Sequence, residues 1–103
     1  MLIARWQIDA KFGQKQTVIE QLRKWADTIA PQIGWTKDKG LLLTGSIGAR
    51  EATVIAEWSV ADLAELDRAW AKLATVDAHT QWGTELEPHI VSGSSRWEIY
   101  RVV

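Results

Sequence analysis

The sequence contains no cysteine and no long apolar run, and each absence removes a class of protein. Without cysteine there is no disulfide, thiolate nucleophile, zinc finger or iron–sulfur cluster, and the expected location is the cytoplasm. No stretch approaches the roughly 18 apolar residues of a membrane helix. Arg5, Gln7 and Asp9 interrupt the apolar residues near the amino terminus, so a signal segment is not expected either.

Positive and negative charges are nearly balanced: the chain has 12 Lys and Arg and 13 Asp and Glu, which gives a net charge of −1 at pH 7. That balance argues against partners such as nucleic acid or an anionic membrane surface. With 103 residues, of which 47% are hydrophobic and 24% charged, the composition is that of a globular chain. We expect one domain over residues 1–103, with a single buried core.

Tryptophan is abundant: the chain has seven, beside one phenylalanine and one tyrosine. They are Trp6, Trp25, Trp35, Trp58, Trp70, Trp82 and Trp97. Because each indole is costly to leave in water, these side chains need covered surfaces or a bound partner.

Hydrophobic periodicity predicts the elements of the first half of the chain. Alternating apolar residues over 2–8 predict a strand. Apolar spacings of three and four predict a helix over residues 14–30, ended by Pro31. Residues 41–47 and 52–58 then predict two short strands joined as a hairpin.

The second half of the chain predicts two helices and a last strand. Ser59, with Asp62 three residues later, has the spacing of a helix N-cap, and the helix is expected over residues 60–73. Weaker helical spacing predicts a short third helix over residues 76–88. Renewed alternation predicts a strand over residues 96–103.

This order of strands and helices matches the βαββαβ arrangement of ferredoxin-like folds. The expected class is therefore α+β, with a four-stranded antiparallel sheet covered on one face by the helices. In that topology the first strand lies between the third and the last.

The predicted sheet has one apolar face and one mixed face. The face expected to meet the helices consists of Leu2, Ala4, Trp6, Ile8, Val54, Ala56, Trp58, Trp97 and Ile99. The opposite face consists of Ile3, Arg5, Gln7, Ile55, Glu57, Arg96, Glu98, Tyr100 and Val102. This second face is too apolar for open water and too charged for an ordinary core. We therefore expect a homodimer stacked sheet on sheet, in which the two arginines pair with the two glutamates.

Two segments carry a resemblance to a known superfamily: ATVIAEWSVADLAELDRAWAKL at 52–73 and HTQWGTELEPHIVSGSSRWEIYRVV at 79–103. They are similar to NIPSNAP-like and antibiotic-biosynthesis-monooxygenase-like members of the dimeric α+β barrel superfamily. There, a strand ending in Trp leads into an acidic helix and a final strand closes the domain. The resemblance implies ferredoxin-like subunits that pack their sheets together. The superfamily includes cofactor-free oxygenases, haem degraders, isomerases and decarboxylases, so the fold alone selects no reaction.

A cleft between helices and sheet is the candidate site. His79 and Trp82 are three residues apart, so they share one helical face and can point into such a cleft. The candidate ligand-binding residues are Trp6, Trp58, His79, Trp82 and Trp97. Trp25 and Trp70 lie on the apolar stripes of the two long helices and are expected to be packing residues of the core.

Metal and cofactor sites are not expected. His79, Glu85, Glu87 and His89 are residue types that bind metals, but an HExxH spacing is missing and Pro88 disturbs the helical pairing. By resemblance to haem-degrading relatives, His79 is also a candidate axial haem ligand. The alternative is that His79 serves as a hydrogen-bonding residue.

Two functions remain open at this stage. In the first, the cleft binds or converts a small hydrophobic or aromatic molecule, as a cofactor-free oxygenase or isomerase would. In the second, the chain is a non-enzymatic interaction or assembly domain and every tryptophan is structural. An open aromatic cavity with a polar group projecting into it favours the first, and a fully packed interior favours the second.

Overall fold

In a computed structural model that describes residues 1–103, four antiparallel strands form one sheet and the helices lie on one of its faces. The strands are β1 (Leu2–Asp9), β2 (Gly40–Thr44), β3 (Thr53–Val60) and β4 (Arg96–Arg101). The helices are α1 (Lys15–Thr28), α2 (Leu63–Leu73) and α3 (Asp77–Leu86). Short 3-10 turns occupy Ala30–Ile33, Lys37–Lys39 and Glu87–His89. None of the helices combines the length and apolarity that crossing a bilayer requires.

The strand order is β2-β3-β1-β4, so β1 lies centrally between β3 and β4. The predicted α+β fold and the ferredoxin-like arrangement of its sheet are both confirmed. In the register of the sheet, Trp6 lies opposite Ala56 on one side and Trp97 on the other. Arg5 lies opposite Glu57 and Glu98 on the other face.

The start of α2 differs from the prediction because the cap is Asp62 and not Ser59. The Asp62 carboxylate accepts a hydrogen bond from the Glu65 backbone N–H at 2.8 Å, and the Glu65 carboxylate accepts one from the Ala61 N–H. These two bonds resemble a capping box, except that Glu65 reaches the residue before the cap, and they lie one turn later than expected. Ser59 instead stays in β3, since strand pairing with β1 continues to Val60.

The hairpin also differs from the prediction, because its first strand is shorter and its loop is longer. β2 ends at Thr44 and β3 begins at Thr53, so Ile47 lies in the loop and is fully exposed. The Gly45 backbone N–H donates to the Thr53 carbonyl at 2.9 Å, which closes the loop at its base.

The core lies between the sheet and the helices and contains 20 buried hydrophobic residues. Trp25 is among them, as predicted, and so is Trp35, which stacks on Trp58 with ring centroids 5.3 Å apart. Trp70 is not a core residue, and that prediction was wrong. It is 37% exposed because the buried positions of α2 are Leu66 and Ala69, and Trp70 lies just beyond them at the edge of the packed face.

The helix-facing side of the sheet is covered unevenly. Its residues on β1 and β3 are buried or half-buried, as predicted. Trp97 and Ile99 on β4 were also expected to meet the helices; Trp97 contacts Trp70 of α2, but both residues remain partly exposed. They belong to an edge strand, and the helices pack mainly over the centre of the sheet.

The face of the sheet that points away from the helices, called the outer face below, carries both apolar and charged side chains. Arg5 forms an ion pair with Glu57 at 2.5 Å, and its guanidinium lies 5.1 Å from the centre of the Tyr100 ring. Arg96 pairs with Glu98 at 3.7 Å, so the expected ion pairs form within one chain. Leu41 and Tyr100 are exposed on this face of the single chain.

The tight contact between Gly40 and the Trp58 ring predicts opposite effects for alanine substitutions at two glycines. A Cβ atom at Gly40 would lie 2.7 Å from the Trp58 ring, which cannot withdraw because it stacks on Trp35. Gly40→Ala should therefore lower the free energy of unfolding by about 1–3 kcal/mol. At Gly83, in α3, an added Cβ meets nothing within 4 Å. Gly83→Ala should therefore raise the free energy of unfolding by up to about 1 kcal/mol. Urea denaturation measures both, and effects of the same sign would contradict the packing described.

Candidate ligand-binding cavity

A cavity of about 520 Å³ lies between the helices and the sheet. It is lined by 11 residues, of which ten are hydrophobic and His79 is the exception. The lining residues are Trp6, Leu22, Trp25, Ala56, Trp58, Trp70, Leu73, Ala74, His79, Trp82 and Trp97. Six of the seven tryptophans are therefore in its wall, and only Trp35 lies behind it.

The structure brings all five candidate residues of the sequence analysis to this one cavity. The two tryptophans that were predicted only to pack the core, Trp25 and Trp70, line it as well. Trp25 is 7% exposed and so belongs to core and cavity at once, whereas Trp70 and Trp97 are about a third exposed and lie at the solvent side. Helical spacing indicated which face Trp25 occupies, but no feature of the sequence shows that a void adjoins that face.

The cavity exists because large and small residues face each other across the sheet. Trp6 lies opposite Ala56, and Trp58 lies opposite Ala4, so each of these two indoles has an alanine as its neighbour across the β1–β3 pair. Indole rings are rigid and cannot bend into the space beside an alanine. The helices rest on these rings, and the cavity lies beside Ala56, while Ala4 is packed within the core.

The rings of the wall contact each other edge to face and in tilted pairs. Trp25 lies 5.8 Å from Trp58 and 6.3 Å from Trp82 between ring centroids, and Trp6 lies 6.1 Å from Trp82. Trp70 covers Trp97 in an edge-to-face contact at 5.5 Å. Such arrangements are favourable for aromatic pairs and leave ring faces available for a further flat molecule.

Three of these indole N–H groups are used within the protein. Trp82 donates to the Gln21 carbonyl at 2.7 Å, and Trp6 donates to the Ser95 hydroxyl at 2.8 Å. Trp25 donates to Nδ1 of His79 at 3.0 Å. These bonds fix the orientation of three rings, which therefore offer a ligand carbon surfaces and no donors.

His79 is the one titratable side chain in the wall. Its ring is parallel to that of Trp82 to within 18°, with centroids 6.0 Å apart. Burial lowers the pKa of His79 below its ordinary value of 6.5, since an apolar site disfavours the charged imidazolium. At neutral pH the ring is therefore uncharged.

Haem ligation by His79, suggested by the resemblance, does not fit this geometry. A histidine that binds a metal usually donates its other ring N–H to an acceptor. Nδ1 of His79 instead accepts from Trp25, and an indole nitrogen can only donate. The proton of the neutral ring is then on Nε2, where it occupies the position a metal would need.

The other residues of metal-binding type are dispersed. Glu85 pairs with Lys24 at 3.6 Å, and the His89 ring contacts the Gln14 amide oxygen at 2.8 Å. No group of three or more His, Cys, Asp or Glu side chains lies close enough together to hold an ion. Glu85 and His89 thus have structural partners of their own.

Solved structures place this fold among two groups of proteins. A NIPSNAP family protein from Agrobacterium tumefaciens is 21% identical, with a TM-score of 0.79 over 99% of this chain and 92% of that chain. An uncharacterized NIPSNAP-like domain protein from Burkholderia xenovorans is 13% identical, with a TM-score of 0.80 over 99% of this chain and 84% of that chain. SnoaB, a cofactor-independent oxygenase from Streptomyces nogalater, is 15% identical, with a TM-score of 0.69 over 98% and 91% of the two chains.

The structural neighbours are thus NIPSNAP and antibiotic-biosynthesis-monooxygenase-like proteins, as the resemblance in sequence predicted. At these identities the likeness establishes a shared ferredoxin-like α+β fold. No protein-family model and no curated protein matches the sequence.

The lowered pKa of His79 predicts an acid-dependent loss of stability. The unfolded chain binds the proton more readily than the folded one, so the contribution of His79 is complete above pH 6.5 and is lost as pH falls below it. The free energy of unfolding should therefore fall more between about pH 7.5 and pH 5.5 for the wild type than for His79→Phe. Urea denaturation at the two pH values measures the difference. Equal losses in both proteins would place His79 in solvent.

Proposed function

We propose that the protein binds a small, flat, largely apolar molecule in the tryptophan-lined cavity. The observation that carries this proposal is the cavity itself, about 520 Å³ in volume with six indoles and one polar side chain in its wall. Pockets for small ligands typically have volumes of about 300–1,000 Å³, apolar walls and a few polar groups that set orientation. The cavity has each of these features.

The wall is already ordered for such a ligand. Trp6, Trp25 and Trp82 have their N–H groups bonded to the protein, so their rings need not be immobilised when a ligand enters. Binding therefore avoids part of the usual entropic cost of ordering side chains. Stacking and the removal of apolar surface from water both favour a planar aromatic molecule.

Conversion of the bound molecule is a second, narrower proposal. His79 is the one residue of the wall that can give or accept a proton, and any proton movement in the cavity would depend on it. A cofactor-free oxygenase or isomerase reaction is compatible with a wall that has a single neutral imidazole. The similarity to SnoaB, itself a cofactor-independent oxygenase, supports this class of reaction without identifying a substrate.

The competing proposal, an assembly domain with purely structural tryptophans, is less well supported. Trp35 fits it, being 1% exposed and outside the cavity. Trp70 and Trp97 do not, because they line open volume and remain partly in solvent. An interior built only for stability would be expected to fill that volume.

We also propose that a second copy of the chain covers the outer face of the sheet. This face exposes Leu41 and Tyr100 beside the Arg5–Glu57 ion pair. A two-fold interface would bring like faces together and cover these exposed side chains. The cavity lies on the other side of the sheet, so a dimer of this kind leaves it accessible.

Ligand binding should depend on the exposed part of the cavity wall. A flat, uncharged fluorescent ligand such as Nile red should bind with saturation, and Trp70→Ala and Trp97→Ala should each weaken its binding about five-fold or more. Both residues are partly exposed, so these variants should stay folded. Phe12→Ala, which removes a fully exposed aromatic residue outside the cavity, is the matched control and should bind like the wild type. Binding that is unsaturable, or equally weakened by Phe12→Ala, would rule out the cavity.

The proposed dimer predicts a contrast between two glutamates. Glu57 is 17% exposed and pairs with Arg5, while Glu51 is 84% exposed and pairs with Lys15. Glu57→Ala would leave the Arg5 charge unpaired in the interface, so it should weaken the dimer more than Glu51→Ala. Sedimentation over a range of micromolar concentrations measures both dissociation constants. A wild type that sediments at 11.6 kDa at every concentration would exclude the interface.

A further inference from the structure

The hydrogen bond between Trp25 and His79 determines where the proton of the neutral imidazole lies. Indole Nε1 always carries a hydrogen and has no lone pair to offer, so it can only donate. The 3.0 Å contact with Nδ1 of His79 therefore requires Nδ1 to be the unprotonated nitrogen. In the neutral ring the proton must then be on Nε2.

Nε2 is the ring nitrogen of His79 that makes no hydrogen bond to the protein. The residue lines the cavity, and the ten other lining residues are hydrophobic. The Nε2–H group is thus a directional donor of the wall that has no partner in the protein, beside the indole N–H groups of Trp58, Trp70 and Trp97, which make no hydrogen bond either.

We propose that His79 makes the cavity selective for flat aromatic molecules that have a neutral hydrogen-bond acceptor, such as a ketone oxygen, at their edge. This inference rests on the proposed function, because it concerns the ligand of the same cavity. Nε2–H donates to the acceptor oxygen, while the indoles bury the ring system. Trp25 acts through His79, as the positioning residue that keeps the donor on Nε2.

Molecules with other edge groups are disfavoured for definite reasons. A ligand with an N–H or O–H at that edge places donor against donor, and its own polar group is buried without a partner. A carboxylate is an acceptor, but no Lys or Arg is in the wall to offset the cost of burying its charge. A hydrocarbon fits the walls but leaves the imidazole N–H unsatisfied. Neutral carbonyl compounds avoid all three costs.

Three tricyclic molecules of nearly the same outline test the inference: 9-fluorenone has an acceptor oxygen, fluorene has no polar group, and carbazole has a donor N–H. Equilibrium dialysis with protein in excess gives dissociation constants for all three despite their low solubility. For the wild type, fluorenone should bind about three- to ten-fold more tightly than fluorene or carbazole, the range of one net hydrogen bond.

Two variants test whether His79 and Trp25 cause the preference for fluorenone. His79→Phe keeps an aromatic ring in the wall but removes the donor, so fluorenone should lose its advantage over fluorene. Trp25→Phe removes the indole N–H that holds the tautomer, so discrimination against carbazole should weaken. A preference for fluorenone that persists in His79→Phe would overturn the inference, because the donor would then be elsewhere.

The tautomer can also be measured without a ligand or a variant. Nitrogen-15 NMR of the His79 ring in the wild type should show a protonated Nε2 and an unprotonated Nδ1 at neutral pH. A proton on Nδ1, or on both nitrogens, would overturn the inference whether or not the variants fold. If none of the three tricyclic molecules binds, the proposed function fails. If all three bind equally, the cavity binds ligands but the role assigned to His79 is wrong.

Discussion

The rigidity of the indole ring is the constraint on which the rest of the structure depends. Trp6 and Trp58 stand on adjacent strands with alanines as neighbours across that strand pair, and neither ring can bend to fill the space beside Ala56. The helices rest on the rings, so a cavity of about 520 Å³ follows from the choice of residues on β1 and β3. Leucine or isoleucine side chains, which adapt more readily, would be expected to close it.

The same residues connect the stability of the fold to the chemistry of the cavity. A buried indole N–H needs an acceptor, and for Trp25 that acceptor is the His79 ring. The bond satisfies a donor of the core and at the same time leaves Nε2–H as a donor of the wall without a partner in the protein. Because burial also keeps the imidazole neutral, the wall has no charge, and it has no arrangement suited to a metal.

Much of the fold can be predicted from the sequence, because the periodicity of each strand or helix shows which of its faces is apolar. The sheet order and the two faces of β1 could be predicted in this way. The burial of Trp35 could not, because it lies between two 3-10 turns where no periodicity operates. Trp70 was misplaced since spacing identifies a face of α2 but not where that face ends. His79 was predicted in the cavity, but its link to Trp25 depends on a contact between α1 and α3 that only the folded chain defines.

The central claim is that the space between sheet and helices is open and apolar, not filled by repacked side chains. Xenon enters apolar cavities of this kind. Methyl NMR of the wild type under xenon pressure tests the claim most directly, with Leu22, Leu73, Ala56 and Ala74 as reporters in the wall. The account predicts saturable shifts confined to these four residues and their neighbours. Shifts that are absent, or that spread evenly over core residues such as Val18 and Ile29 away from the cavity, would contradict it.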